Sequence, residues 1–296
     1  MDDLAVIQQH LDRNDIPSAL AKIDRILAGA TGAVPQLHFL RGLAFLRTGA
    51  TMQALQSLQA ELFVNPQHVE AQEQLDQLLA TVPHGHTDPA QRQWGTALTQ
   101  QISQAVEFAA QRYTYRGVPL IKNCFDLALY PKLLHQVRPA CIIEIGTFYG
   151  GSALWFADLT RAFGIDTKII SIDVVQMRLF EDERVQFLVG SGRELSTVLS
   201  SETISSLPRP LLVIEDADHE QQTTSAVLEF FHPILQTGEY IVVEDGLTTA
   251  GPRDALAKFF TDHPGQYEVD TNYCDYFGYN STWCINGFLR KVSGNL

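Results

Sequence analysis

Apolar positions along the chain follow two different spacings. Residues 1–80 carry Leu, Ala and Gln at helical intervals without a strand pattern, which predicts an all-α region. From Cys141 onward, short apolar runs alternate with helix-like stretches. The predicted strands are 141–145, 168–173, 185–189, 211–215, 240–244, Tyr267–Val269 and Cys284–Val292. The predicted helices are 152–163, 193–200, 220–235 and 252–262. Such alternation predicts an α/β domain with a mainly parallel sheet and right-handed crossovers.

The region between these two parts predicts a linker and a helical lead-in. Residues 83–90 are rich in Pro, Gly and His, which is typical of a connection between domains. Residues 91–113 are predicted to form one long helix, and a second helix follows from Asp126 to Val137. The predicted organisation is therefore a helical domain over 1–82, a linker, and an α/β domain over 91–296.

The helical region contains one repeat-like pattern between Pro35 and Pro66. Its small, aromatic and bulky positions are Gly42, Phe45, Gly49, Ala54, Leu58 and Pro66. This order is similar to a tetratricopeptide repeat, in which small residues let two antiparallel helices approach. A single repeat cannot bury both of its faces. The region is therefore expected either to grip a carrier protein or fellow subunit, or to be a packing appendage.

The first predicted strand of the α/β domain leads into a glycine-containing turn. A dinucleotide fold requires G-x-G-x-x-G, so that the backbone can approach a pyrophosphate. Thr147 stands here where the second Gly is needed, and Glu144 in the strand would repel a pyrophosphate. An acid suits a ligand with an ammonium group, such as the methionine end of S-adenosylmethionine. A turn needed only for packing is the alternative. The turn residues expected at this cofactor are Gly146, Thr147, Gly150 and Ser152.

Polar side chains follow each of the other predicted parallel strands, where ligands of such sheets bind. Asp173 after the second strand is expected to accept the hydroxyls of a ribose. Gly190 and Ser191 follow the third strand, where an adenine edge is expected. The remaining two strands end in Asp216-Ala217-Asp218-His219 and in Glu244-Asp245.

Three of these carboxylates, Asp216, Glu244 and Asp245, are predicted to converge on one pocket. Crowded carboxylates repel each other unless a cation neutralises them or one is protonated. Mg²⁺ prefers such oxygen ligands, so Mg²⁺ or another divalent cation is one expectation. A protonated carboxyl group, or one that acts as a general base, is the other.

Composition and charge exclude several classes of function. The net charge is −13, and the sequence has no Lys/Arg-rich block, which argues against nucleic acid as a partner. No apolar run approaches the roughly 18 residues of a spanning helix, and the acidic start Met1-Asp2-Asp3 does not resemble a charged-then-apolar leader. The expectation is a soluble cytoplasmic protein. None of the four cysteines forms a C-x-x-C pair, so a structural zinc site is not expected.

Five segments together resemble the cephalosporin hydroxylase family of class I methyltransferases, which includes enzymes similar to rhamnosyl O-methyltransferases. The segments are Lys122–Leu127, Glu144–Ser152, Asp216–His219, Val243–Gly246 and Asn286–Arg290, and the resemblance covers roughly residues 115–292. It implies a seven-stranded sheet, S-adenosylmethionine as cofactor and a divalent cation on Asp216, Glu244 and Asp245. Glu144, Gly146 and Asp173 match cofactor positions, and the 28-residue step from Asp216 to Glu244 resembles that of catechol-type methyltransferases.

The leading hypothesis is a metal-assisted O-methyltransferase that acts on a hydroxyl of a sugar or natural product. His219 is the first candidate for the base and Lys122 the second. An aromatic cluster between Tyr273 and Trp283 could line the acceptor pocket or belong to the core. A homo-oligomer is expected, and a carrier protein is a candidate partner of the helical region. The alternative function is a non-catalytic scaffold that acts through that region.

Overall fold

The computed structural model describes residues 3–30, 32, 34–80 and 85–292. Pro83 and His84 of the predicted linker, and residues 293–296, lie outside this range. The chain divides into two compact units, Met1–Pro83 and His84–Leu296. None of the helices in the described ranges combines the length and apolar character needed to cross a membrane.

The first unit consists of helices. They are α1 (Asp3–Asp12), α2 (Ile16–Gly29), α3 (Leu37–Arg47), α4 (Thr51–Val64) and α5 (Val69–Ala80). Helices α3 and α4 approach closely because Gly42 has no side chain, since a Cβ there would lie 3.0 Å from Leu58. The fully buried Glu61 of α4 accepts hydrogen bonds from the backbone N–H groups of Gln36 and Phe39 at the start of α3. A carboxylate at that end is favoured by the helix dipole.

The second unit alternates strands and helices from residue 141 onward, as predicted. Its strands are β1 (His86–Thr87), β2 (Thr114–Tyr115), β3 (Val118–Pro119), β4 (Cys141–Ile145), β5 (Lys168–Asp173), β6 (Val185–Val189), β7 (Leu211–Glu215), β8 (Tyr240–Val243), β9 (Tyr267–Asp270) and β10 (Phe288–Lys291). Its α-helices are α6 (Gln100–Ala110), α7 (Asp126–Val137), α8 (Gly151–Ala162), α9 (Ser201–Ser205), α10 (Gln221–Phe231), α11 (Ala250–Asp262) and α12 (Thr271–Cys274). Two short 3₁₀ segments cover Pro89–Gln91 and Gly192–Thr197.

One mixed sheet forms the core of this unit. The strand order is β1-β9-β10-β8-β7-β4-β5-β6, in which β8, β7, β4, β5 and β6 are parallel and β10 is antiparallel to both neighbours. Without the two-residue β1, this is the seven-stranded sheet of class I methyltransferases, which confirms the predicted fold class. The five parallel strands end at the same edge, so the residues that follow them lie close together.

The prediction of one long helix over 91–113 is wrong. Within this range only Gln100–Ala110 is α-helical, and the segment before it is hydrogen-bonded to the loop that follows α12 through Arg92, Gln93, Thr96 and Ala97. Arg92 explains the difference, because its guanidinium is buried and donates to both carboxylate oxygens of Asp275 at 2.6 and 2.7 Å. This tertiary contact overrides the local helical pattern.

Candidate active site

A cavity of about 500 Å³ lies at the carboxyl ends of the parallel strands. Most of the predicted site residues line it: Lys122, Gly146, Thr147, Ser152, Asp173, Gly190, Ser191, Asp216, His219 and Asp245. Glu144, Gly150 and Glu244 do not line it. A single cavity of this size suits a cofactor together with part of an acceptor molecule.

The glycine turn after β4 packs directly on the loop after β7. Gly146 has a φ of +106°, and a Cβ there would lie 1.8 Å from the backbone oxygen of Asp216. At the start of α8, a Cβ on Gly151 would lie 2.0 Å from the carbonyl oxygen of Pro119. Only glycine permits these approaches, so the turn fixes both the Asp216 loop and the segment that leads to Lys122.

Asp173 at the end of β5 holds the same turn through hydrogen bonds. Its Oδ2 accepts from the backbone N–H groups of Thr147 at 2.9 Å and Phe148 at 2.8 Å, while Oδ1 accepts from Val175 N at 3.3 Å. The carboxylate is half-buried and lies at the cavity wall. In this structure Asp173 therefore organises the backbone of the turn, which sequence reasoning did not anticipate.

Glu144 lies within β4, next to the cavity wall. It is fully buried; Oε2 accepts from Ser171 Oγ at 2.5 Å, and Oε1 has no hydrogen-bond partner within the described residues. Burial raises the pKa of this carboxyl to about 7, against the opposing effects of Lys122, Ser152 and Ser171. An unsatisfied buried carboxylate oxygen is costly, so it is a candidate point of attraction for a cationic ligand group.

Asp216, His219 and Asp245 form a group that could hold a metal ion. One ligand atom from each lies within 4.8 Å of the others, and His219 Nδ1 is 3.4 Å from Asp245 Oδ2. His219 and Asp245 both have positive φ, 59° and 60°, which is uncommon for residues other than glycine and costs free energy. Burial raises the pKa of both Asp216 and Asp245 to about 6, and repulsion between neighbouring carboxylates adds to this.

Glu244, which directly follows β8, accepts hydrogen bonds from side chains outside the Asp216, His219 and Asp245 group. Its Oε1 accepts from Lys122 Nζ at 2.6 Å and from Tyr130 OH at 2.5 Å, and all three side chains are buried. Lys122 Nζ also donates to Asp216 Oδ2. Burial alone would lower the pKa of Lys122, but the neighbouring carboxylates outweigh it and raise that pKa well above its ordinary value. Lys122 is therefore a buried ammonium that bridges Asp216 and Glu244.

Sequence reasoning missed one side chain of this region, that of Tyr130. Tyr130 in α7 lies in an apolar helical pattern, so nothing in the local sequence distinguishes it from a core residue. Trp283 lines the cavity, and its backbone N–H donates to the buried Asp126 at 3.1 Å. Of the predicted aromatic cluster, Tyr273 packs in the core instead, stacked on Phe288 with 5.3 Å between ring centroids.

The chain is similar to several characterised methyltransferases over this unit. A family model described as rhamnosyl O-methyltransferase/CmcI matches residues 107–292. The rhamnosyl O-methyltransferase of Mycobacterium leprae (strain TN) is 30% identical over 191 residues, which are 60% of this chain and 82% of the relative. The Mycobacterium tuberculosis enzyme of the same name (strain ATCC 25618 / H37Rv) is 28% identical over 192 residues, 60% of this chain and 78% of the relative.

Solved structures of CmcI are also similar to this unit. A CmcI structure described with Mg and SAM is 26% identical, covers 62% of this chain and 78% of its own, and superposes with a TM-score of 0.53. A CmcI apo-structure with the same identity and coverage gives a TM-score of 0.54. The family match leaves out the helical N-terminal unit.

Proposed function

Because this chain belongs to the rhamnosyl O-methyltransferase/CmcI family, we propose that it methylates a hydroxyl group of a sugar or another natural product, with S-adenosylmethionine as methyl donor and a divalent cation as assistant. One observation carries the proposal. The same cavity of about 500 Å³ is lined by the glycine turn and Asp173 on one side, and by Asp216, His219 and Asp245 on the other. A methyl donor and a chelated acceptor can therefore meet within it.

The residues of the first half fit S-adenosylmethionine. Gly146 and Thr147 line the cavity with the turn, and Glu144 has an unsatisfied carboxylate oxygen that suits an ammonium group. Asp173 is the last residue of β5, where a ribose is expected. Gly190 and Ser191 follow β6, where the adenine edge is expected.

The residues of the second half fit a hard divalent cation. Asp216 and Asp245 offer carboxylate oxygens, and an open cavity leaves room for water and substrate oxygens. We propose Asp216 and Asp245 as ligands together with Glu244, whose second oxygen remains after Lys122 and Tyr130 bind the first.

Bound together, S-adenosylmethionine supplies the methyl group and the cation lowers the pKa of an acceptor hydroxyl. We assign the proton-accepting role to His219 rather than to Lys122. The side chain of His219 is 39% exposed at the cavity and its Nδ1 lies 3.4 Å from Asp245 Oδ2, whereas Lys122 is a buried ammonium that already donates to two carboxylates. Trp283 and the glycine turn then limit where the acceptor can lie, which favours in-line attack by positioning alone.

The first test is calorimetry of S-adenosylhomocysteine binding, with Mg²⁺ and with a chelator, followed by methyl-transfer assays on rhamnosides and other natural-product alcohols. We expect micromolar binding and metal-dependent transfer. Asp216→Asn should remove the Mg²⁺ effect, whereas Asp254→Asn, an exposed Asp of α11, should retain it. Full activity of Asp216→Asn in the presence of chelator would refute the metal assignment, and no cofactor binding would refute the function.

The role of the first unit and the state of assembly belong to the same proposal. We propose that the tetratricopeptide-like helices of this unit contact a carrier protein or a fellow subunit, and that the enzyme is a cytoplasmic homo-oligomer. The close packing of α3 on α4 through Gly42 supports a repeat-like pair of helices. A truncated chain that starts after the linker would reveal, in light scattering, whether assembly depends on this unit.

A further inference from the structure

Lys122 is the one positive charge that this structure brings into contact with the proposed metal ligands, within the described residues. Its side chain is 1% exposed, and Nζ contacts both Asp216 Oδ2 and Glu244 Oε1. Tyr130 OH donates to the same Glu244 oxygen, which keeps that carboxylate turned toward Lys122. The backbone that leads to Lys122 is also held in place. Pro119, three residues earlier, packs against Gly151, where a Cβ would not fit.

The charges of this cluster do not balance without a further cation. Asp216, Glu244 and Asp245 contribute three negative charges when ionised and Lys122 one positive charge, so these four largely buried groups have a net charge of about −2. The buried Glu144, which also acts on Lys122, is counted separately, because it is the carboxyl proposed for the ammonium group of the cofactor. A buried excess charge is unfavourable unless it is compensated. A divalent cation compensates it fully, whereas a trivalent cation leaves an excess positive charge. Without the ammonium, the same three carboxylates would match a trivalent ion.

We propose that Lys122 acts as the fixed third positive charge of this site and thereby sets its preference for divalent over trivalent cations. This inference rests on the metal site of the proposed function. Lys122 is then a specificity-determining residue that neither binds the ion nor exchanges protons during the reaction. Its effect is purely electrostatic, because like charges in a place of low dielectric repel in proportion to the charge of the ion.

The test compares the affinities of the full-length protein for Tb³⁺ and Mg²⁺ at one fixed pH. Binding of Tb³⁺ can be followed by its luminescence, with Trp283 at the cavity as the sensitising group, and Mg²⁺ by competition. In Lys122→Met, we expect both ions to bind more tightly and the Tb³⁺/Mg²⁺ affinity ratio to rise at least about tenfold. Lys258→Met, which removes an exposed lysine of α11, should leave the ratio unchanged.

A double variant separates charge from structural damage. Lys122→Met combined with Glu244→Gln removes one charge of each sign, so the net charge of the cluster returns to about −2. We expect its affinity ratio to return to that of the wild type, even if both absolute affinities fall. A merely structural role for Lys122 would not produce this reversal.

Two results would overturn the inference, and they differ in what else they overturn. If the wild-type protein binds Mg²⁺ but Lys122→Met keeps the wild-type ratio, the inference fails alone. If the wild-type protein binds no divalent cation, with or without S-adenosylhomocysteine, the proposed metal site fails as well.

Discussion

The buried ion pair between Arg92 and Asp275 provides a test of what holds the second unit together. Arg92 donates to Asp275 through both Nη atoms, to Asn286 Oδ1 at 2.8 Å and to Asn280 Oδ1 at 3.0 Å. Its guanidinium also lies 4.4 Å from the ring centroid of Tyr279. These contacts tie the segment before α6 to the loop that carries Trp283. Arg92→Met would remove all of them while keeping most of the apolar length of the side chain.

The expected loss follows from the burial of the pair. The side chains of Arg92 and Asp275 are only 5% and 9% exposed, so the substitution leaves a buried carboxylate with the backbone N–H of Asn280 as its remaining donor. Breaking a buried pair from one side costs about 3–5 kcal/mol. The matched control is Arg116→Met, since Arg116 also pairs with an aspartate but its side chain is 58% exposed. An exposed pair contributes about 0–1 kcal/mol.

Urea unfolding followed by tryptophan fluorescence measures the difference. All three tryptophans, Trp94, Trp155 and Trp283, belong to the second unit, so the signal reports on that unit alone. We expect the unfolding midpoint to fall by on the order of 1–2 M urea in Arg92→Met and by far less in Arg116→Met. Equal shifts in the two variants would refute the reasoning that burial of the pair decides its contribution.

Three further predictions concern the cavity and the far end of the sheet. Gly146→Ala should lower the free energy of unfolding by about 2–4 kcal/mol, because the new Cβ would clash with the backbone oxygen of Asp216. Gly265 also has a positive φ, but a Cβ there would have no atom within 4 Å, so Gly265→Ala should cost only about 1 kcal/mol. Similar losses in the two variants would contradict the steric explanation. Glu144→Gln should weaken S-adenosylhomocysteine binding by about 10- to 100-fold in calorimetry, and an unchanged affinity would exclude an ammonium contact. Burial and the nearby Lys291, whose Nζ lies 3.2 Å from Nδ1, lower the pKa of His232 to about 4. As the pH falls from 6.5 toward 4, the unfolded chain takes up a proton at His232 that the folded chain does not, so the melting temperature should fall across this window. The fall should be smaller in His232→Asn. An equal dependence of melting temperature on pH in the two proteins would refute the assignment.

The sequence was sufficient to predict the parallel strands because each is a short, mainly apolar segment. The predicted bounds of β4, β5, β6 and β7 agree with the structure, and those of β8 differ by one residue. The last strand is shorter than predicted, since residues 285–287 form a turn in which Asn286 takes a positive φ. Only the tail of that segment could pair with its neighbours.

What the sequence could not predict are contacts between residues far apart in the chain. The helix predicted over 91–113 is interrupted because Arg92 contacts residues more than 180 positions later. Tyr130 meets Glu244 across 114 positions, and no local pattern carries that information. Because Asp216 and Asp245 both follow parallel strands, the sequence predicted that they share one cavity. It did not predict that the adjacent Glu244 binds Lys122 and Tyr130.

The contact between Gly146 and the Asp216 backbone has a thermodynamic consequence. The turn proposed to receive the cofactor and the loop proposed to receive the cation touch directly, so neither can shift without the other. Binding free energies at two sites joined in this way are reciprocal: if the cation strengthens the affinity for the cofactor by some factor, the cofactor must strengthen the affinity for the cation by the same factor. Departure of the spent cofactor would then loosen the hold on the cation, and the two halves of the cavity would release their ligands as one cooperative unit.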